Sequence, residues 1–246
     1  MPSKPKQKNV KPKTENKTVL LMTTAPPENS AWYHGKALPP IGLMYVAAAL
    51  ERAGFQVQML DNYFMKKPLE EVKQLVTKTN PAIVGITCGS ATYSRCIETV
   101  RAIKEALPIC RIVVGGWHAS YSPDSLLETP EIDYVVVGEG ERAVVGLASC
   151  IVNGNEAAAI TIPGVACRRA ATNIKNPPAF IENMDEIPYP ARHLLPLELY
   201  DRTIEYLDAK PADVMSISRG CVFHCGFCET RKLWGNICRS FSPQRV

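Results

Sequence analysis

AIVGITCGSATYSRCIETVRAIKEALPICRIVVGGW, residues 82–117, decides the fold of this chain. Its opening run, AIVGITCGS (82–90), is short and almost continuously apolar, as a strand buried on both faces must be. TYSRCIETVRAIKEAL (92–107) repeats its apolar residues at the helical period, and CRIVVGGW (110–117) returns to a short apolar run. The same alternation extends in both directions. Upstream, TVLLMTT (18–24) and FQVQMLD (55–61) read as strands. IGLMYVAAALERAG (41–54), with Gly54 as its stop, and PLEEVKQLVTKTN (68–80) read as helices. Downstream, IDYVVVGEGE (132–141) is a further strand and turn, and ERAVVGLASCIVNG (141–154) a further helix. Strands alternating with helices define an α/β domain with a doubly wound, mostly parallel sheet.

Ligands of such sheets bind beyond the carboxyl ends of the strands. Those ends are TTAPPENSAWYHG, TCGSATY, GGWHAS and GEGE, and all four hold Gly or Ser, where backbone can approach a large ligand. No G-x-G-x-x-G follows the first strand, which argues against an ordinary dinucleotide fold. His118 has two readings of equal standing: a hydrogen bond to a ligand in the crevice, or a polar residue pinning its own loop. Glu141 reads as a first-turn residue favoured by the helix dipole. His193 and His224 have no partner that the sequence names.

The second informative stretch is SRGCVFHCGFCETRKLWG (218–235), which places Cys221, Cys225 and Cys228 in a C-x3-C-x2-C run. Three thiolates ligate a four-iron cluster and leave one iron open. The same thiols suit zinc, with His224 or Cys238 as a fourth ligand, and spacing alone does not choose between the two metals. The other five cysteines, Cys88, Cys96, Cys110, Cys150 and Cys167, sit in apolar segments and read as small core residues. Nothing implies an oxidising compartment, so disulfides are not expected.

The net charge of +4 is uneven: the first 17 residues hold six Lys and one Glu, leaving the body near −1. That basic tail lacks the apolar residues to bury a core and reads as disordered. The body offers no electrostatic case for nucleic-acid binding. There is neither an apolar signal segment nor a run long enough to span a bilayer, and a cytoplasmic setting is expected.

The pieces, taken in order, resemble the radical S-adenosylmethionine (SAM) enzymes that carry a cobalamin-binding domain. PPIGLMYVAAALERAG resembles that class's opening helix; GGWHAS resembles its Gly-Gly-x-His-Ala turn, with Trp117 where Pro is more usual; DYVVVGEGE resembles its fifth strand. IPGVACRR (162–169), ENMDEIPYPARHLLPLELY (182–200) and RSFSPQRV (239–246) resemble the segments flanking the cluster motif. The resemblance implies a 4Fe-4S cluster on Cys221, Cys225 and Cys228, with SAM on the open iron and Phe227 contacting it through its backbone. It implies cobalamin near Tyr33, His34, Ser90, Gly115, Gly116, His118, Gly138 and Glu139. No Asp-x-His-x-x-Gly run is present to ligate cobalt, so the cobalamin would bind base-off.

The implied activity is methyl transfer to an unactivated carbon through a 5′-deoxyadenosyl radical. A porphyrin-type oxidative cyclase, a non-catalytic corrinoid-binding module and a zinc-stapled interaction module are the alternatives. The implied partners are a small-molecule or peptide substrate and an external electron donor such as flavodoxin or ferredoxin, with neither nucleic acid nor membrane. The expected organisation is a tail (1–17), a Rossmann-like cobalamin-binding domain (18–155), a linker (156–212) packing through Ile187, Tyr189 and Leu194, and the beginning of a radical SAM (β/α) barrel (213–246). DVMSISRGC (213–221) reads as that barrel's first strand. Only 25 residues follow Cys221, far too few for a barrel of about 200 residues. The chain therefore reads as a fragment or a truncated relative, with its last 35 or so residues poorly packed.

Overall fold

The computed structural model describes residues 16–29, 38–169, 172–200 and 213–246. Tyr33, His34 and most of the basic tail lie outside these residues. Five parallel strands, β1 (Thr18–Thr23), β2 (Gln56–Leu60), β3 (Ile83–Thr87), β4 (Arg111–Gly115) and β5 (Tyr134–Val136), lie in the order 2-1-3-4-5. The registers Leu20↔Val84 and Val84↔Ile112 hold the centre of the sheet together.

Alternating strand residues face opposite layers. On one face Leu20, Met22, Val84, Ile86, Ile112 and Val114 pack with Val72, Val76, Val100 and Ile103. These last four come from α3 (Leu69–Thr79) and α4 (Tyr93–Ala106). On the other face Val19, Leu21, Ile83 and Val113 pack with Leu43, Ala47, Leu50, Val144 and Leu147. Those belong to α1 (Ile41–Arg52) and α7 (Gly140–Val152). Between these helices lie the short turns α2 (Asn62–Met65), α5 (Trp117–Tyr121) and α6 (Pro123–Leu127). The predicted doubly wound α/β sheet is therefore the observed one.

Residues 156–175 do not form a linker, as the sequence reading had it. They contain α8 (Glu156–Ala159), β6 (Val165–Arg169) and β7 (Thr172–Lys175), and the two strands extend the sheet to seven as antiparallel neighbours of β5. Val165, Ala166 and Cys167 are buried against β5. The Arg168 guanidinium donates to the carbonyls of Leu127, Thr129, Pro130 and Ile132, which fixes the loop leading into β5. Glu156 accepts from Arg111 and from the Tyr134 hydroxyl, each at 2.7 Å. A VACRR run gives little sign of a strand, because its three buried residues are small or medium-sized and two exposed arginines follow them.

The chain then crosses back over α1. Ala191 donates its amide to Met44 O at 3.1 Å, and Arg52 donates to Glu186 O at 2.6 Å. Ile181, Met184 and Ile187 bury against Tyr45, so α1 is apolar on two sides, one on the sheet and one on this crossing strap. Of the three anchors expected here, Ile187 is buried and Leu194 packs partly into the core. Tyr189 is 65% exposed, a departure from expectation: the Arg245 guanidinium lies 4.1 Å from its ring and holds it on the surface.

Residues 213–246 are better packed than expected. Arg219, Leu233 and Phe241 are buried, and the Phe241 ring lies 6.1 Å from that of Tyr45. The expected barrel strand is reduced to β8 (Ser218–Arg219), which pairs antiparallel with β9 (Arg239–Ser240). Between them runs α9 (Thr230–Trp234). Met215, Ile217, Val222, Phe223, Phe227 and Ile237 remain exposed, so only part of the segment has found a core.

Candidate functional site

The chain moves outward from β1 to β2, then returns to β3 on the other side of β1, so a crevice opens between β1 and β3 at their carboxyl ends. Its rim is built from turns. After β3, Cys88 donates its amide to Gly115 O at 2.8 Å; after β4, His118 donates its amide to Cys88 O at 3.0 Å. Between these bonds Gly116 takes φ +95°, ψ −163°, a backbone conformation open only to glycine. A β-carbon there would lie 2.6 Å from Thr87 Oγ1 and 3.0 Å from Cys88 O. Gly116 is thus required by the chain's own turn. Gly115 differs, since a β-carbon there would meet nothing nearer than 3.7 Å.

His118 pins this rim. Its Nε2 is 3.0 Å from Ser125 Oγ and its Nδ1 is 3.2 Å from Ser90 Oγ. The Ser125 hydroxyl spends its proton on Ser122 O at 2.8 Å, so it accepts from His118 Nε2–H. The neutral ring then accepts from Ser90 at Nδ1. Burial against Tyr93, whose ring centroid is 4.6 Å away, holds the imidazole below its usual pKa and keeps this tautomer neutral. Of the two readings of His118, the loop-pinning one is what its contacts describe.

Gly138 and Glu139 lie at the far end of the crevice. The Gly138 amide donates to Ser120 Oγ at 3.0 Å, and Pro178 would crowd a β-carbon there at 2.8 Å. Glu139 is buried, and its carboxylate accepts from the Ile181 amide at 2.8 Å and from both Arg239 Nη1 and Nη2. Its side chain is therefore committed within the protein. Glu141 is likewise more than a first-turn residue: it accepts from buried Arg219 at 2.6 Å. No sequence signal could have found these pairs, whose members are 78 and 100 residues apart. The same holds for buried Asp61, which accepts from Thr23 Oγ1 at 2.6 Å and from the Tyr200 hydroxyl at 2.7 Å.

Cys221, Cys225 and Cys228 all carry free thiols; Cys225 and Cys228 are exposed, and Cys228 N–H donates to Cys225 O at 3.1 Å. A hydrogen bond with Thr230 holds the Cys228 thiol below its usual pKa, which favours the thiolate that metal binding needs. Among the described residues no three His, Cys, Asp or Glu side chains converge as a formed metal site. His224 Nδ1 accepts from the Arg231 guanidinium, so the neutral ring carries its proton on Nε2 and has no free lone pair for a metal in this arrangement. The donor set itself, three soft thiols on an exposed loop, fits an iron–sulfur cluster. Phe227 stands on that loop 91% exposed.

Two further observations fit a large ligand at the crevice. Thr24 Oγ1, just past β1, is buried without a hydrogen-bond partner among the described residues. A β-carbon at Gly89 would find only Thr92 Oγ1, at 3.8 Å. A separate cavity of about 390 Å³ is lined by Ala49, Arg52, Glu141, Arg142 and Ile187, and none of the residues predicted to bind cobalamin borders it. No helix among the described residues is long and apolar enough to cross a membrane.

A switch-point crevice with a glycine-rich rim defines a ligand-binding α/β domain, and residues 34–148 match the B12 binding domain family. The chain is 31% identical to an uncharacterized methyltransferase of Pyrococcus horikoshii, over 94% of this chain and 49% of that one. It is 30% identical to the anaerobic magnesium-protoporphyrin IX monomethyl ester cyclase of Synechocystis, over 88% of this chain and 43% of that one. The radical S-adenosylmethionine methyltransferase TsrM of Kitasatospora setae, solved with cobalamin and a 4Fe-4S cluster bound, superposes with a TM-score of 0.67 at 19% identity, covering 92% of this chain and 44% of that one. Residues 34–148 thus form a B12-binding domain, and the chain as a whole is similar to a methyltransferase and a porphyrin cyclase that are about twice its length. It spans about half the length of the curated relatives it matches or less.

Proposed function

We propose that this chain carries the cobalamin and cluster sites of a cobalamin-dependent radical SAM enzyme that transfers a methyl group to an unactivated carbon. The observation that supports the reading is the packing of the segment after the cysteine loop against the crevice rim. α9, which begins two residues after Cys228, packs on α5, which follows β4 at the crevice rim, with the Trp117 and Trp234 rings 5.5 Å apart.

In this reading Cys221, Cys225 and Cys228 supply three thiolates to a 4Fe-4S cluster, and Phe227 contributes backbone to SAM. Ser90, Gly115, Gly116 and His118 form the cobalamin rim; Gly138 contributes backbone, and Glu139 shapes the rim through its buried ion pairs. Tyr33 and His34 stay assigned to the corrin face, outside the described residues. When bound, the cofactors supply the methyl group and the radical chemistry. The chain's own work is placement: His118 fixes the rim, and the Cys228–Thr230 contact prepares a thiolate. An external electron donor such as flavodoxin or ferredoxin and a cytoplasmic setting belong to the same proposal.

The second reading is an oxidative cyclase, favoured by the 30% identity to the Synechocystis enzyme. Both readings share the cofactors and differ in whether product gains a methyl group.

The test is anaerobic reconstitution with iron, sulfide and hydroxocobalamin, followed by metal analysis and absorption spectroscopy. About four irons per chain and a base-off cobalamin spectrum are expected. Replacing Cys221, Cys225 and Cys228 together by Ala should abolish iron and leave the cobalamin spectrum intact. Stoichiometric zinc in a colourless protein would overturn the proposal.

A further inference from the structure

Arg219 and Arg239 face each other directly across the β8–β9 ribbon. Like charges opposed on neighbouring strands repel, and a ribbon of two residues per strand has no stability of its own. Something outside the ribbon must hold it, and two carboxylates from the start of α7 do so. Arg219 Nη2 donates to Glu141 Oε1 at 2.6 Å, and its Nη1 is 3.5 Å from Glu139 Oε1. Arg239 makes a two-pronged contact with Glu139, at 2.8 and 3.0 Å. Its remaining capacity goes to the carbonyls of Ile181 at 2.7 Å and Trp234 at 2.8 Å. All four side chains are at least nine-tenths buried. The group is neutral as a whole, so removing one charge strands another in a dry site.

The ribbon closes the base of the loop that contains Cys221, Cys225 and Cys228. Gly220 sits at that base with φ +93°, and a β-carbon there would fall 2.0 Å from Ile237 O. The turn bearing Glu139 and Glu141 also bears Gly138, at the rim of the crevice.

We infer that Glu139, Glu141, Arg219 and Arg239 form a buried clasp by which the turn after β5 positions the cysteine loop against the crevice rim. These four are positioning residues. The inference rests on the cluster reading of the three cysteines, and the clasp itself can be tested without a cluster.

The experiment compares the parent protein with Glu141→Gln, Arg219→Lys, and the exchanged pair Glu141→Arg with Arg219→Glu. Amide hydrogen exchange is measured on the protein without cluster, and iron per chain is measured after anaerobic reconstitution. In Glu141→Gln the amides of the ribbon and of Phe241 should exchange at least tenfold faster than in the parent. Amides of β1, β3 and β4 should keep their parent rates, showing that the sheet is folded. Iron uptake should fall at least twofold although all three cysteines remain. Arg219→Lys should give an intermediate result, and the exchanged pair should recover part of both losses. Parent-like ribbon exchange in Glu141→Gln, or loss of sheet protection equal to loss of ribbon protection, would overturn the clasp. A parent protein that takes up no iron would instead sink the cluster reading, while the exchange rates would still decide the clasp.

Discussion

Replacing Gly116 by Ala should unfold the crevice rim before it touches any ligand. The backbone there, φ +95° and ψ −163°, costs a residue with a side chain on the order of 1–3 kcal/mol. The new β-carbon would also lie 2.6 Å from Thr87 Oγ1, 3.0 Å from Cys88 O and 3.1 Å from Cys88 N. The Thr87 hydroxyl can rotate, but the Cys88 backbone cannot move without lengthening two bonds. These are Cys88 N–H to Gly115 O at 2.8 Å and His118 N–H to Cys88 O at 3.0 Å. Each such bond contributes about 1 kcal/mol net, so the total loss is about 3–5 kcal/mol. With a urea slope of about 2 kcal/mol/M, the unfolding midpoint should fall by about 2 M. Gly115→Ala is the matched control, because its β-carbon meets nothing nearer than 3.7 Å. Its midpoint should stay within about 0.5 M of the parent, in line with an unstrained substitution. A Gly116→Ala midpoint within that same margin would refute the claim that the rim's own backbone demands this glycine.

Burial holds the His118 pKa below its ordinary value of 6.5. As pH falls below about 6.5 the unfolded chain therefore takes up a proton before the folded one, and stability declines until the folded pKa is passed. His118→Gln should remove part of that decline between pH 7.5 and 5.5 in urea titrations; equal slopes in the two proteins would contradict the burial argument. The thiols should divide sharply. Burial pushes the Cys110 thiol up to about 11, and its hydrogen bond with Cys88 together with burial raises Cys96, whereas Thr230 lowers Cys228. Brief iodoacetamide treatment at pH 8 without cluster should label Cys228 and the exposed Cys225 and Cys238, and spare Cys88, Cys96 and Cys110 until urea is added. Labelling of Cys96 or Cys110 as fast as Cys228 in mass spectra would refute the assignment.

The core strands were legible because a parallel sheet covered on both faces must be apolar at nearly every position, and IVGIT and RIVVG are such runs. Helix limits followed from periodicity and punctuation, with α1 stopping at Arg52 just before Gly54. β6 and β7 are not legible because VACRR followed by TNIK carries too few apolar positions, and β7, at the edge of the sheet, has no buried residue. The Tyr189 anchor failed for a related reason. An aromatic ring in a Pro-rich strap can as well lie under an arginine on the surface as enter a core.

Sequence by itself determined the α/β class, the helices and strands of the core, and the three thiols at C-x3-C-x2-C spacing, since each depends on residues close together in the chain. Tertiary structure alone decided which polar groups meet. Glu139 with Arg239, Glu141 with Arg219 and Asp61 with Tyr200 join residues 78 to 139 positions apart. Such pairs leave no local period or spacing, because what selects them is the cost of leaving a charge or hydroxyl unpaired once folding has removed it from water.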